Sequence, residues 1–333
     1  MCDQNALQGS VLVTGGAGYI GSHVVRILRE QGRSVVVVDD LSTGRAQRVR
    51  GVPIVQLDLA GPGARTRLEA LIETHDVRAV LHFAAMKEVA RSVAEPTSCF
   101  DQNVGGLLNL LAAMETTGCR DLVFSSSAAV YGDVRGSAVT EDAPRRPVNP
   151  YGQSKLVGEW MTENAAAARR MRVANLRYFN VAGAGSADLA DDGATNLVPI
   201  VIDAVRHGRP VTVFGTDWGT PDGTCVRDYI HVQDLARAHV CALDALAEAG
   251  PGVTAYNLGT GSGSSVLDVV RAVERTSGRA ALVEPSARRP GDPAAVVADP
   301  ARAARELHWR AEFDLSAIVE SAWRARAALQ LTP

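Results

Sequence analysis

Lysine is nearly absent from this chain. Of 34 basic residues only Lys87 and Lys155 are lysines, the rest being arginine. The two are either chance survivors or marks of places that need a compact ammonium, which differs from guanidinium in shape, hydration and acidity. Cysteine is also scarce. The five at 2, 99, 119, 225 and 241 form no CxxC pair, and an odd number cannot close into a full disulfide set, so reduced thiols in a cytoplasmic protein are expected. No stretch approaches the roughly 20 apolar residues that span a bilayer, and the N-terminus has no basic, signal-like start, which argues against a membrane partner. The net charge of -3 provides no field to gather nucleic acid. A small molecule is the expected partner, and no metal site is indicated.

What is present is a hydrophobic fraction of 46% over 333 residues, enough for one large domain with a smaller lobe. Val11–Thr14, Ser34–Asp39, Pro53–Gln56, Ala79–His82, Asp121–Ser126 and Arg172–Asn175 read as strands. They are apolar on both faces and separated by helix-length segments, the pattern of an α/β fold with a doubly wound parallel sheet of Rossmann type. After about Val181, clusters of Gly, Asp and Pro at Gly183–Gly193 and Gly215–Gly223 break the pattern. We therefore expect a dinucleotide-binding domain over 1–180 and a smaller α/β lobe over 181–333, with a strand and helix near Asp228–Ala247 returning to the main domain. A cleft at the C-terminal strand ends is the expected ligand site.

The run from Val11 to Gly21 is a strand entering a glycine turn and then an amphipathic helix to about Gln31. Gly15 permits the tight turn, Gly18 lets backbone N–H groups approach a pyrophosphate, and Gly21 allows close helix–strand packing. A glycine triplet can also mark any turn that needs positive φ, but here the strand–turn–helix setting favours phosphate binding. The second strand ends in Asp39-Asp40, eighteen residues beyond Gly21, near the distance expected for a carboxylate that grips the adenosine ribose. A carboxylate there repels a 2′-phosphate, so NAD is expected over NADP.

Tyr151-Gly152-Gln153-Ser154-Lys155 opens a helix that runs to about Arg170, led in by Asn149-Pro150. Positions i and i+4 face one side, so phenol and ammonium can reach one substrate. A free tyrosine has a pKa near 10, and a nearby ammonium together with a positive nicotinamide would be expected to lower it far enough for a general base. The serines Ser125, Ser126 and Ser127 close the fifth strand. They are either strand-end caps or, in the case of Ser127, a hydrogen-bonding partner for a reacting hydroxyl.

The chain resembles the UDP-glucose 4-epimerases of the extended short-chain dehydrogenase/reductase superfamily. The matching runs are VTGGAGYIGSH at 13–23, HFAAMKEV at 82–89, SSSAAVYG at 125–132, PYGQSK at 150–155, RYFNVAGA at 177–184, DGTCVRDYIHVQDLA at 222–236, YNLGTGSGSSVLDVV at 256–270 and RRPGDPAAVVAD at 288–299. The resemblance implies that Tyr151 is the base, that Lys155 is its partner and the nicotinamide-ribose anchor, and that Ser127 holds the sugar hydroxyl. It further implies NAD contacts from Gly15, Gly18, Tyr19, Ile20, Gly21, Asp39 and Asp40. Asp58 and Leu59 would lie near the adenine, and Phe83, Ala84, Lys87, Asn103, Ser125 and Tyr178 along the dinucleotide. On the UDP-sugar side it implicates Lys87, Phe179, Asn180, Asn196, Leu197, Val213, Phe214, Arg227, Tyr229, Arg289, Asp292 and Val296 beside Ser127 and Tyr151.

The activity implied is interconversion of UDP-glucose and UDP-galactose through a transient 4-keto sugar, by a homodimer. Ala129 departs from the threonine of many relatives, and Ala85, Glu88 and Arg91 depart from the commonest pattern around Lys87. A nucleotide-sugar 4,6-dehydratase would need an Asp-Glu pair where Ala128 and Ala129 stand. Val296 replaces a tyrosine of stricter epimerases, from which we expect additional activity on N-acetylated UDP-hexosamines.

Overall fold

The computed structural model describes residues 9–134, 138–191, 193, 196–289 and 292–329. Cys2, and Pro290 and Gly291 of the 288–299 motif, lie outside the described residues. In chain order the elements are β1 (Ser10–Thr14), α1 (Tyr19–Glu30), β2 (Ser34–Asp39), β3 (Ile54–Gln56), α2 (Ala64–Thr74), β4 (Val77–His82), α3 (Val89–Ala94), α4 (Pro96–Phe100), α5 (Gly106–Thr117), β5 (Asp121–Ser127), α6 (Pro150–Arg169) and β6 (Arg172–Tyr178). There follow β7 (Asn180–Ala182), α7 (Leu197–His207), β8 (Pro210–Phe214), β9 (Val226–His231), α8 (Val232–Glu248), β10 (Gly252–Leu258), β11 (Gly263–Ser265), α9 (Val266–Ser277), β12 (Leu282–Ser286), β13 (Ala295–Val296), α10 (Ala301–Glu306) and α11 (Leu315–Leu329). None of the described helices is long and apolar enough to cross a membrane.

The chain forms two compact units. The first contains the residues up to Val130 together with Asn149–Arg177 and Ala236–Tyr256. Its seven-stranded sheet has the order β10-β6-β5-β4-β1-β2-β3, and β1 runs parallel to both β2 and β4. Strands β1 and β5 are buried along their whole length, as strands covered by helices on both faces must be. Leu12, Val36, Val80 and Leu122 meet Leu107, Leu110 and Met114 of α5 in one apolar cluster. Because the strand order reverses between β1 and β4, their C-terminal ends lie side by side with no helix between them, which is where doubly wound sheets open a crevice.

The second unit holds Tyr131–Val148, Tyr178–Leu235 and the residues from Asn257 onward. Strand β9 pairs there with β7, β11 and β13, while β8 and β12 form a parallel pair. The segment read as a returning strand and helix is therefore divided, β9 building the second unit and α8 from Ala236 onward the first. The strand that completes the large sheet is β10, which went unread because its first residues are only half-buried and lack the apolar run of a central strand.

Candidate active site

The glycine turn between β1 and α1 is shaped by backbone crowding. Gly15 has φ +68°, and a Cβ on it would stand 2.6 Å from the Ala84 amide nitrogen beyond β4. A Cβ at Gly21 would lie 2.4 Å from the Gly15 carbonyl oxygen, whereas one at Gly18 meets that same oxygen at 3.2 Å. Gly21 thus guards the turn itself. Helix α1 begins at Tyr19 and Ile20 with no side-chain cap and no acidic residue in its first turn, so its end suits an anion.

Asp39 closes this turn onto β2. Its Oδ2 accepts from the Ala17 N–H at 2.9 Å and its Oδ1 from the Leu41 N–H at 2.9 Å. Burial raises its carboxyl above the usual range, an effect opposed by those N–H donors and by the Arg48 guanidinium. Asp40 is exposed and caps its own turn through Ser42. Asp58 is likewise exposed and accepts from the Ala60 N–H, while Leu59 is buried and its carbonyl accepts from Asn109.

Beyond β4, the Phe83 ring packs on His239 at 4.6 Å. Lys87 is exposed in the loop that follows. That loop is held by Asn103, which sits in a π-helical turn over Asp101–Gly105. Its Oδ1 accepts from the Met86 N–H at 2.7 Å, and its Nδ2 donates to the Met86 carbonyl and to Ser154 Oγ. Asn103 therefore clamps the Lys87 loop to α6.

Ser127, Tyr151 and Lys155 come together. Helix α6 starts at Pro150 because the Asn149 side chain caps the Gly152 N–H at 2.9 Å and proline suits the first helical position. Tyr151 and Lys155 then fall on one face, both buried against β5. The Lys155 ammonium donates to the Ser125 carbonyl at 2.9 Å and lies 6.0 Å from the Tyr151 ring centre. The Tyr151 phenol faces Ser127, whose hydroxyl acts to lower its pKa.

The chain's own groups do not lower the Tyr151 phenol as the spacing suggested. Burial pushes the phenol above its ordinary value, the hydrogen bond from Ser127 pulls it back, and Cys99 adds to the rise. Burial lowers Lys155 itself to about 8.

Two histidines belong to this setting, His82 at the head of the HFAAMKEV run and His239, which the sequence does not point to. His82 is buried, hydrogen-bonded to Thr14 Oγ1 at 2.7 Å, and pushed down to about 3 by burial and then by Lys155, so it is neutral. His239 meets Ser125 Oγ at 3.3 Å, and nothing in the local sequence of α8 announces that contact. Among the described residues no cluster of three His, Cys, Asp or Glu side chains could hold a metal ion.

In the second unit, Arg227 lies on β9 opposite Val296 of β13. Its Nη1 donates to the Pro293 carbonyl at 2.9 Å, and Asp292 stands 3.7 Å from Nη2. The Arg289 guanidinium lies 3.7 Å above the Phe214 ring, at the end of the strand that also carries buried Val213. Tyr229 is buried and paired across strands with exposed Asn180, and burial raises its phenol beyond the ordinary range. Tyr178 is half-buried, and the Phe179 N–H donates to the Leu258 carbonyl at 3.2 Å. Asn196 precedes Leu197 at the start of α7 and donates to buried Asp191 at 2.8 Å.

Comparison with known proteins places these features in a context. The pattern of the NAD dependent epimerase/dehydratase family matches residues 11–259. A UDP-glucose 4-epimerase of Azospirillum brasilense is 46% identical over 328 residues, covering 97% of this chain and 93% of the relative. The crystal structure of the UDP-glucose 4-epimerase of Stenotrophomonas maltophila, with bound NAD and formylated UDP-arabinopyranose, superposes with a TM-score of 0.92 at 41% identity, covering 98% of this chain and all 100% of that one. That of Brucella ovis, in complex with NAD, gives 0.90 at 43% identity, covering 95% and 98%.

Proposed function

Since the chain belongs to the NAD dependent epimerase/dehydratase family, we propose that it interconverts UDP-glucose and UDP-galactose by reversible oxidation at C4 of the sugar. The observation that carries this reading is the buried constellation of Ser127, Tyr151 and Lys155 at the end of β5, in the unit that also holds the glycine turn. The turn fits a dinucleotide because α1 starts there with no side-chain cap and no acidic residue in its first turn, which leaves its N–H groups to a diphosphate.

NAD, when bound, supplies a hydride acceptor that returns the hydride in the same cycle. Gly15, Gly18, Tyr19, Ile20 and Gly21 would hold its diphosphate, and Asp39 and Asp40 its adenosine ribose. Asp58 and Leu59 would border the adenine, with Phe83, Ala84, Lys87, Asn103, Ser125 and Tyr178 along the remainder. Lys155 anchors the nicotinamide ribose. Tyr151 takes the proton from the sugar 4-hydroxyl and later returns it, and Ser127 orients that oxygen. Arg227 and Arg289 suit the diphosphate through their planar forks, with Phe179, Asn180, Asn196, Leu197, Val213, Phe214, Tyr229 and Asp292 around the uridine and Val296 beside the sugar.

Two further parts of the reading concern setting. A homodimer is supported by the exposed apolar side chains of Val93, Leu108 and Trp160 and by a groove lined by Pro96, Phe100, Val104 and Val157. That Cys99, Cys119 and Cys225 form no disulfide fits a cytoplasmic enzyme.

The test is to incubate the purified protein with UDP-galactose and separate the nucleotide sugars. UDP-glucose should appear without net consumption of NAD, and recovery of unchanged UDP-galactose refutes the reading.

A further inference from the structure

Glu159 and Arg177 form a buried ion pair that the chemistry proposed above does not use. Their side chains are 0% and 4% exposed. Glu159 stands on α6 four residues beyond Lys155 and eight beyond Tyr151, so all three lie on one face of the helix. Its Oε1 accepts from Ser126 Oγ at 2.6 Å and from Arg177 Nε at 2.8 Å, and its Oε2 accepts from Arg177 Nη2 at 2.7 Å. Ser126 belongs to β5 and Arg177 to β6. One carboxylate thus ties the helix to two strands.

The other contacts of this face fall into step with it. Two consecutive residues of β5 are met by two successive turns of α6, Ser125 by the Lys155 ammonium and Ser126 by the Glu159 carboxylate, and one turn earlier Tyr151 faces Ser127. Close approach is possible because residue 158 is glycine, where a Cβ would stand 2.5 Å from the Phe124 ring. The same ring lies 5.2 Å from the Lys155 ammonium and stacks on His82.

Stability alone does not account for such a pair. Desolvation of a buried ion pair roughly offsets its attraction, and well-packed apolar residues of similar volume are often as stable or more so. What an apolar contact lacks is direction. The guanidinium fork meets both carboxylate oxygens and leaves little freedom for rotation or sliding. Displacing a reacting group by about 1 Å can cost on the order of a hundredfold in rate.

We propose that Glu159 and Arg177 are positioning residues for the reaction, fixing the height and rotation of α6 on β5 and β6 so that Tyr151 and Lys155 meet Ser127 and Ser125 in register. The inference rests on the epimerase reading for its turnover measurement only.

The test uses the full-length protein with Glu159→Leu and Arg177→Met combined, which leaves no lone buried charge, and separately with Ser126→Ala. Turnover and KM for UDP-galactose are measured. Ionisation of the Tyr151 phenol is followed by phenolate absorbance, as the difference between each protein and its Tyr151→Phe counterpart. The titratable groups around this phenol are Lys155 on its own helix and Cys99 on α4.

In the double variant we expect kcat to fall about tenfold or more with KM within about twofold, and Tyr151 to titrate at higher pH as the Ser127 contact loosens. Ser126→Ala should show the same pattern, with a loss of about twofold to threefold in kcat. Parental kcat and parental phenol titration in both variants would overturn the proposal, and so would failure of the double variant to fold, which would make the pair purely structural. If the parent itself lacks epimerase activity, the functional reading fails, and the phenol titration still decides this inference by whether it moves or stays.

Discussion

The Lys155 ammonium donates to the Ser125 carbonyl at 2.9 Å from a position almost closed to solvent. One hydrogen bond in that setting does not replace the hydration of an ammonium, which is why burial brings the group down from 10.5 to about 8.

Stability should therefore depend on pH in a definite direction. The unfolded chain holds the Lys155 proton more tightly than the folded one, so the burial cost is fully present below about pH 8 and disappears as pH rises towards 10.5. In protein stripped of cofactor, this group should add on the order of 3 kcal/mol of stability across that window. The raised phenol of Tyr151 acts in the opposite sense above 10.0, and the raised thiols of Cys99, Cys119 and Cys225 above 9.0, so the effect is read as the difference between parent and variant between about pH 8 and 10. Urea unfolding of the parent against Lys155→Met checks it. A gain with pH of equal size in both proteins removes Lys155 as the cause.

Tyr151→Phe should lower turnover by several orders of magnitude while fold and NAD affinity persist, because only the proton-transfer group is lost. The chain's own groups leave this phenol above its ordinary value. Binding of oxidised NAD should then bring its titration down, an effect readable as phenolate absorbance when NAD is added. A titration indifferent to NAD, or near-parental turnover in the phenylalanine variant, removes Tyr151 from its role.

Much of this was legible in the sequence, and the remainder divides by the range of the interaction. The glycine turn and the Asn149-Pro150 helix start are local, written in residues that touch their own neighbours along the chain. The six strands read as the core of the sheet appear with their ends shifted by no more than three residues. Long-range partners left no such trace. The His239 contact with Ser125 spans 114 positions, and β10 joins β6 across the whole of the second unit's middle segment. Charge was misread for the same reason. That Lys155 would donate to the Ser125 carbonyl, and that burial would bring both it and Tyr151 away from their ordinary values, depends on how closely α6 lies on β5, and spacing alone does not reveal it.

Asp39 yields a prediction about cofactor choice. Its carboxylate already holds the Ala17 and Leu41 N–H groups at 2.9 Å each, which fixes it at the end of β2 beside the glycine turn. A 2′-phosphate at the adenosine ribose would meet this fixed negative charge, and like charges brought together cost several kcal/mol. NAD(H) should bind at least about a hundredfold more tightly than NADP(H) to cofactor-stripped protein, and Asp39→Asn should narrow the gap. Equal affinity for the two cofactors in the parent protein would sink the assignment.

The breadth of sugar accepted turns on Val296. This residue pairs with Arg227 across β13 and β9, which places it beside a side chain proposed for the diphosphate, and it is only half-buried. The resemblance puts a tyrosine here in stricter epimerases. A valine is much smaller, so the space beside the 2-substituent of the hexose should be open. An N-acetyl group could then enter without the roughly 1–3 kcal/mol that overpacking a filled pocket costs. Interconversion of UDP-N-acetylglucosamine and UDP-N-acetylgalactosamine should accordingly be measurable beside the main activity. Val296→Tyr should suppress it by about tenfold or more, the lower half of that range in free energy, while UDP-galactose turnover changes little. Both rates can be followed in one assay by separating the four nucleotide sugars. A parent enzyme inert toward the N-acetylated pair would mean that a neighbouring side chain closes the pocket and that Val296 does not set its size.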